Sequence, residues 1–212
     1  IIGGGLVGVE LAAEIITAYP SKKITVIHSK EELIERNPAK ARAYTQQFLE
    51  KHGVQFVFSE RVIKHRKGIY FTDKGKKLSA DLAFLCTGIM PNYKYLEQYC
   101  STSLNEKKHL CVNSHLQVQS SISIFAAGDI TSIAEEKMAQ NAEKQAEIVV
   151  KNIYHQERGE PLEEYISSPR LIVISLGKWK GILIYKNTVL TGIVPGILKS
   201  LIEGKTMRRY RK

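Results

Sequence analysis

Apolar residues at Leu6, Val9, Leu11, Ala12, Ile15 and Ile16 recur at helical spacing, and Pro20-Ser21-Lys22-Lys23 interrupts them before the β-branched run Ile24-Thr25-Val26-Ile27. Ile1-Ile2-Gly3 reads as the end of a buried strand, so the chain opens as strand, helix, strand. Asn37 before Pro38 predicts an N-cap followed by proline at the first helical position. That helix should run to about His52, with Gly53 stopping it and Val54–Phe58 resuming as a strand. From Val62 to Leu78, short strand-like pieces around Lys67-Gly68 and Asp73-Lys74-Gly75 predict an antiparallel meander, and Leu82–Cys86 has the apolar character of a buried strand.

Beyond Gly88 the pattern changes to extended Leu116-Gln117-Val118, a buried strand at Ile124–Ala127, and a long helix from about Met138 to Tyr154. After Glu157-Arg158-Gly159-Glu160-Pro161 it changes again: Leu171–Ile174, Gly181–Tyr185 and Thr188–Leu190 read as strands and Ile197–Ile202 as a short helix. The expected domains are therefore 1–87, 88–160 and 161–212.

Composition narrows the class. The 212 residues, 43% hydrophobic and 25% charged, suit a globular fold, and no uninterrupted apolar run is long enough for a transmembrane helix. The net charge of +10 favours anionic partners without choosing among nucleotides, acidic lipid and nucleic acid. Three cysteines, at 86, 100 and 111, without a CxxC pair argue against a disulfide framework, a zinc knuckle or a thioredoxin-like dithiol, and make a reducing compartment the default. Because the chain begins with Ile1, not Met, it reads as a fragment, with any targeting or lipidation signal lying upstream.

Gly3-Gly4-Gly5-Leu6-Val7-Gly8 satisfies G-x-G-x-x-G between a strand end and a helix start. There the first glycine allows the tight turn, the second lets amides approach a pyrophosphate, and the third lets helix and strand pack closely. A glycine-rich turn without a ligand is the competing reading. The residue that reads the adenosine ribose should lie about 20 residues on, at the end of the next strand. His28-Ser29-Lys30 stands there, offering donors and positive charge that would accept a 2′-phosphate, while Glu31 and Glu32 are close enough to restore a preference for NADH. A merely solvated strand end fits as well. Glu10, one turn into the helix, either complements the dipole or reaches the nicotinamide half of a cofactor.

Thr87-Gly88-Ile89-Met90-Pro91-Asn92 follows the strand at 82–86, and Ala127-Gly128-Asp129 ends the later one. Asp129 would stand at a carboxyl edge, where ribityl or ribose hydroxyls are suitable partners. Lys137-Met138 opens the next helix, whose N-terminus could support negative charge on a reduced flavin or simply cap a core helix.

In this order the three motifs resemble the two-dinucleotide-fold flavoprotein reductases. Gly3–Ile15, Val26-Ile27-His28-Ser29, Ser59-Glu60-Arg61-Val62, Leu85–Ile89 and Lys205-Thr206-Met207-Arg208 resemble, more narrowly, the ferroptosis-suppressor and apoptosis-inducing-factor-like family of FAD-dependent NAD(P)H:quinone oxidoreductases. The resemblance implies an α/β two-dinucleotide-binding-domain fold: a Rossmann-like NAD(P) domain, part of an FAD domain, and a small C-terminal α+β part. It implies FAD and NAD(P)H as cofactors, with hydride passing from nicotinamide to flavin and electrons then to a quinone such as ubiquinone. No nucleophile or metal is required. The implied nucleotide-binding residues are Gly3, Gly5, Leu6, Val7, Gly8, Glu10, His28, Ser29, Thr87 and Gly88, and the implied flavin-binding residues are Gly128, Asp129, Lys137 and Met138. The family's N-terminal FAD half is not part of this sequence, so weak flavin binding is expected of these residues alone.

Ile197, Leu198, Leu201 and Ile202, followed by Lys205, Arg208, Arg209, Arg211 and Lys212, suit either a membrane interface or a core-packed helix with a solvated tail. The expected location is cytoplasmic and peripheral on a membrane or lipid droplet, with the mitochondrion as an alternative. The competing function is a redox-gated interaction protein like apoptosis-inducing factor, slow in NADH oxidation and binding nucleic acid. A ferredoxin or dehydroascorbate reductase with a soluble acceptor is a third reading.

Overall fold

The computed structural model describes residues 1–209. Packing divides the chain into one unit of residues 1–88 with the stretch from Leu171 onward, and another of residues 89–170. In chain order the elements begin with α1 (Leu6–Ala18), β1 (Thr25–Ile27), α2 (Ala39–Lys51), β2 (Gln55–Val57), β3 (Val62–Arg66), β4 (Ile69–Thr72) and β5 (Lys77–Ser79). The short α3 (Glu97–Cys100) and long α4 (Ala139–Arg158) lie in the second unit. β6 (Leu171–Ser175), β7 (Gly181–Tyr185), β8 (Thr188–Gly192) and α5 (Ile193–Arg209) complete the first.

β1 and β2 pair in parallel, Thr25 opposite Gln55. Ile2 forms parallel bridges to both Ile27 and Leu85, giving the lateral order Leu85, Ile2, β1, β2. This is a βαβ arrangement with the glycine turn at the carboxyl end of the inner segment, where open α/β sheets bind ligands. The α1 face carrying Val9, Ala12, Ala13 and Ile16 is buried in one core with Val26, Leu33, Leu49, Ile172, Ile174, Leu176, Ile182 and Ile184. The segment beyond Leu171 thus supplies part of the core in which α1 is buried. Ile182 is fully buried, so Ile182→Ala is expected to destabilise the first unit by about 2–5 kcal/mol. A lowered urea midpoint at unchanged slope would show it.

Four local readings need correction. Pro38, not Asn37, is the N-cap of α2, and the Asn37 amide donates instead to Ile34 O at 2.9 Å, which closes the preceding turn. Leu82–Cys86 is not a buried strand: Leu82 and Leu85 are mostly exposed, because among the described residues the segment pairs with Ile2 alone. Ile124–Ala127 is likewise half-exposed and pairs through a single bridge, Gln117 to Phe125. The C-terminal helix starts earlier and runs longer than Ile197–Ile202. Proline is tolerated in a first helical turn, and Gly196 lets that turn press on the Trp179 backbone, where a Cβ would lie 2.6 Å from the carbonyl oxygen.

The second unit has a small core around Cys100, Leu110 and Val118. The buried face of α4 is polar, carrying Asn141, Gln145 and Asn152. Asn152 donates to His115 O and Glu163 O and accepts from the Glu163 N–H, so hydrogen bonds hold the helix where apolar contact is scarce. Gly159 ends it in the left-handed region at φ 69°.

Candidate functional site

Gly3 has φ 115°, and a Cβ there would strike the Cys86 carbonyl. A Cβ on Gly8 would collide with the Gly3 carbonyl oxygen and lie 3.0 Å from its carbon. Both glycines are therefore fixed by the close approach of three backbone segments: the turn, α1 and the strand end at Cys86. Gly5 differs: a Cβ would enter open space, so no packing among the described residues demands glycine there. It leaves room for a ligand to touch the main chain.

Gly5 is also the N-cap of α1, with no side-chain capping bond and no acidic residue in the first turn. The first-turn amides of Leu6, Val7 and Gly8 and the positive end of the helix dipole are thus presented without a protein anion, as a pyrophosphate requires. These residues fit a bound NAD(P)H.

His28 is buried beneath the turn, whereas Ser29 and Lys30 are exposed. The Gly4 N–H donates to His28 Nδ1 at 3.1 Å, and His28 Nε2 lies 3.4 Å from Glu35 Oε2. Thr87 and Gly88 are exposed beyond Cys86, whose N–H donates to Ile2 O at 2.7 Å, and Gly88 takes φ 113°. Burial pushes the Cys86 thiol up from its ordinary value, away from the thiolate.

Glu10 is half-buried and turned toward the later strands. Its Oε1 accepts the Ser175 N–H at 2.8 Å and Lys199 Nζ at 3.3 Å. Lys199 donates also to Val173 O at 3.4 Å. An anion on α1 thus meets a cation on α5 within one unit. Lys199 and Ser175 escaped the sequence reading, because nothing local in their segments marks them.

In the second unit Gly128–Ile130 is a 3-10 turn with Gly128 at φ 82°. The Gly128 N–H donates to Gln145 Oε1 at 2.7 Å, Gln145 Nε2 donates to Glu135 Oε1 at 2.5 Å, and Tyr165 OH donates to the same carboxylate at 2.8 and 3.0 Å. This relay holds the turn while leaving the Asp129 carboxylate exposed for hydroxyl groups. Lys137 Nζ donates to Thr131 O and Ile133 O, and burial lowers its pKa despite Glu135 and Asp129 nearby. Met138 is the N-cap of α4, again without a side-chain capping bond or an acid in the first turn. The exposed carboxylate and uncapped helix end fit part of an FAD site.

Burial, then the Glu135 carboxylate, pushes the Tyr165 phenol up to about 12. The folded state therefore holds this proton more tightly than the unfolded chain, whose tyrosine titrates near 10. The resulting stability is complete below pH ~10 and lost as pH rises toward 12. Thermal unfolding from pH 9 to 11 is expected to decline more steeply for the native chain than for Tyr165→Phe; parallel curves would contradict this.

The family model of pyridine nucleotide-disulphide oxidoreductases matches residues 1–146. Ferroptosis suppressor protein 1 of Homo sapiens is 35% identical over 192 residues, 86% of this chain and 52% of that protein. Apoptosis-inducing factor homolog B of Dictyostelium discoideum is 31% identical over 221 residues, 91% of this chain and 57% of that protein. The chain thus spans about half the length of these curated relatives. Among solved structures, the water-forming NADH oxidase from Lactobacillus brevis bound to NADH superposes with TM-score 0.70 at 26% identity, over 86% of this chain and 41% of that one. An engineered NADPH oxidase derived from it and bound to NADPH gives TM-score 0.69 at 25% identity, over the same shares. With its α/β fold, its glycine turn and the family match over more than half its length, the chain belongs to the pyridine nucleotide-disulphide oxidoreductase family, flavoproteins that use FAD and NAD(P)H.

Proposed function

We propose that the chain forms the NAD(P)H-binding part and a portion of the FAD-binding part of an NAD(P)H:quinone oxidoreductase. The observation that carries this reading is the uncapped start of α1 behind Gly3 and Gly8, one turn before a carboxylate held by Lys199. When bound, the two cofactors supply hydride-transfer chemistry. The chain's residues bind and orient. First-turn amides of α1 hold the pyrophosphate, Glu10 and Lys199 present a fixed pair of charges, and Asp129 with the start of α4 holds part of the flavin. Similarity to ferroptosis suppressor protein 1, together with the motif resemblance, supports a quinone as acceptor.

In the flavin-loaded protein, NADH or NADPH should bleach the flavin and a soluble ubiquinone analogue should restore its colour within the catalytic cycle. A flavin that is reduced but reoxidised only slowly by quinone would overturn the choice of acceptor.

Peripheral membrane association at the cytoplasmic side belongs to the same proposal. No helix among the described residues is long and apolar enough to cross a membrane. α5, however, exposes Ile193, Val194, Ile197, Leu198 and Leu201 at positions sharing one side of the helix, with exposed Arg208 further along. Arg211 and Lys212 lie outside the described residues. Deleting the chain after Gly204 is expected to weaken sedimentation with anionic liposomes, and unchanged sedimentation would refute this role.

One observation favours the second reading, a nucleic-acid-binding interaction protein. The β3–β4–β5 sheet exposes Lys64, Arg66, Lys67, Lys74, Lys76 and Lys77 with Asp73 as its exposed acid. DNA binding that weakens steeply with salt, in a protein that fails to reduce quinone, would favour that reading.

A further inference from the structure

We infer that His28 is a positioning residue for the nucleotide turn, binding through Gly4, and that it does not discriminate NADH from NADPH. The inference rests on the proposed NAD(P)H site. His28 continues the line of β1: its N–H donates to Val57 O at 2.8 Å, and its carbonyl accepts the Glu60 N–H at 3.2 Å. With the main chain so fixed and the residue only 8% exposed, the ring lies directly under the turn. There Nδ1 accepts the Gly4 N–H at 3.1 Å, while the Gly4 carbonyl accepts the Ile34 N–H at 2.8 Å. One residue is thus gripped through both of its flanking peptide units by the segment that follows β1.

Gly4 supplies a second observation. It occupies a position that the G-x-G-x-x-G pattern leaves free, yet a Cβ there would lie 2.7 Å from Leu33 Cδ2 and 2.9 Å from His28 Cγ. The ring and the extra glycine are therefore complementary: absence of a side chain at Gly4 lets the imidazole approach closely enough to accept its amide.

The donor at Gly4 also fixes the tautomer. Nδ1 must offer its lone pair, so the proton of the neutral ring sits on Nε2, toward Glu35 Oε2 at 3.4 Å. With both nitrogens engaged, the ring has no free donor for a 2′-phosphate. Ser29, Lys30, Glu31 and Glu32 are the exposed side chains that follow that strand end. His28 instead sets where the Gly5, Leu6 and Val7 amides stand, which matters equally to both nucleotides.

The test is titration of the flavin-loaded protein with NADH and with NADPH. His28→Leu should weaken both by the same factor, about tenfold, the loss expected for one buried hydrogen bond. His28→Asn, whose side-chain oxygen can accept from the Gly4 N–H, should recover most of that loss, with the NADH/NADPH ratio constant throughout. A changed ratio, unchanged binding in His28→Leu, or no recovery in His28→Asn overturns the inference while leaving the nucleotide site intact. If the native protein binds neither nucleotide, the proposed function fails and the inference with it. Nitrogen-15 spectra of the native imidazole give a readout independent of variant folding: a proton on Nε2 is expected, and one on Nδ1 overturns the inference.

Discussion

Gly8→Ala is expected to cost at least about 100-fold in affinity for NADH, because α1 can accommodate the added methyl only by moving away from the turn. The obstruction is the Gly3 carbonyl, main chain that no rotamer change relieves, with the Cys86 Cβ 3.3 Å away on another side. Displacing the start of α1 would misplace the amides that face the pyrophosphate, and losing one or two hydrogen bonds to a charged group, about 1.5–3 kcal/mol each, is enough for a loss of about 10². The informative companion is Gly5→Ala. Its backbone is extended at φ −75° and its Cβ meets nothing, so the variant should melt like the native protein. Any methyl on that surface would, however, obstruct a pyrophosphate. Loss of NADH binding at unchanged melting temperature in Gly5→Ala would place the ligand against the turn. Native affinity in both variants would show that the nucleotide binds elsewhere.

The second large effect is expected at Glu10, for a reason that separates geometry from charge. Its carboxylate accepts the Ser175 N–H and meets the Lys199 ammonium. Glu10→Leu removes both contacts, leaving the Ser175 N–H without this acceptor and Lys199 with the Val173 carbonyl but no counter-charge from α1, a defect worth about 1–3 kcal/mol. Glu10→Gln retains an oxygen for Ser175 while removing the charge. Nucleotide-driven flavin reduction should fall about 100-fold in Glu10→Leu. Glu10→Gln should melt close to the native protein yet still reduce flavin more slowly. If Glu10→Gln proves fully active, the carboxylate serves only to tie α1 to β6.

What the sequence made readable was whatever depends on neighbours in the chain. The glycine pattern at 3, 5 and 8, the periodicity of α1 and the turns of the meander are all short-range signals, and each lies where the pattern puts it. Burial was less readable. Leu82–Cys86 is apolar enough for a core strand, yet Leu85 is 77% exposed, because hydrophobicity gives a residue's preference and not the presence of a partner surface. The partners of Glu10 were unreadable for another reason: Ser175 and Lys199 lie 165 and 189 residues away, and no spacing rule reaches that far. His28 shows both sides. Its place at the strand end followed from counting residues, but the direction of its ring depended on Gly4 and Leu33, which only three dimensions bring together.

The split layout of the first unit has a kinetic consequence. Helix α1 finishes its core only when Ile172, Ile174 and Leu176 arrive, after the whole of residues 89–170 has been made. Contacts of such long sequence separation form late, since loop closure must precede their reward. During synthesis the glycine turn would therefore exist for a time on an unfinished support, with Val9 and Ile16 open to solvent or to chaperones. Folding rate, more than equilibrium stability, should be sensitive to changes in β6 and to the length of the intervening segment.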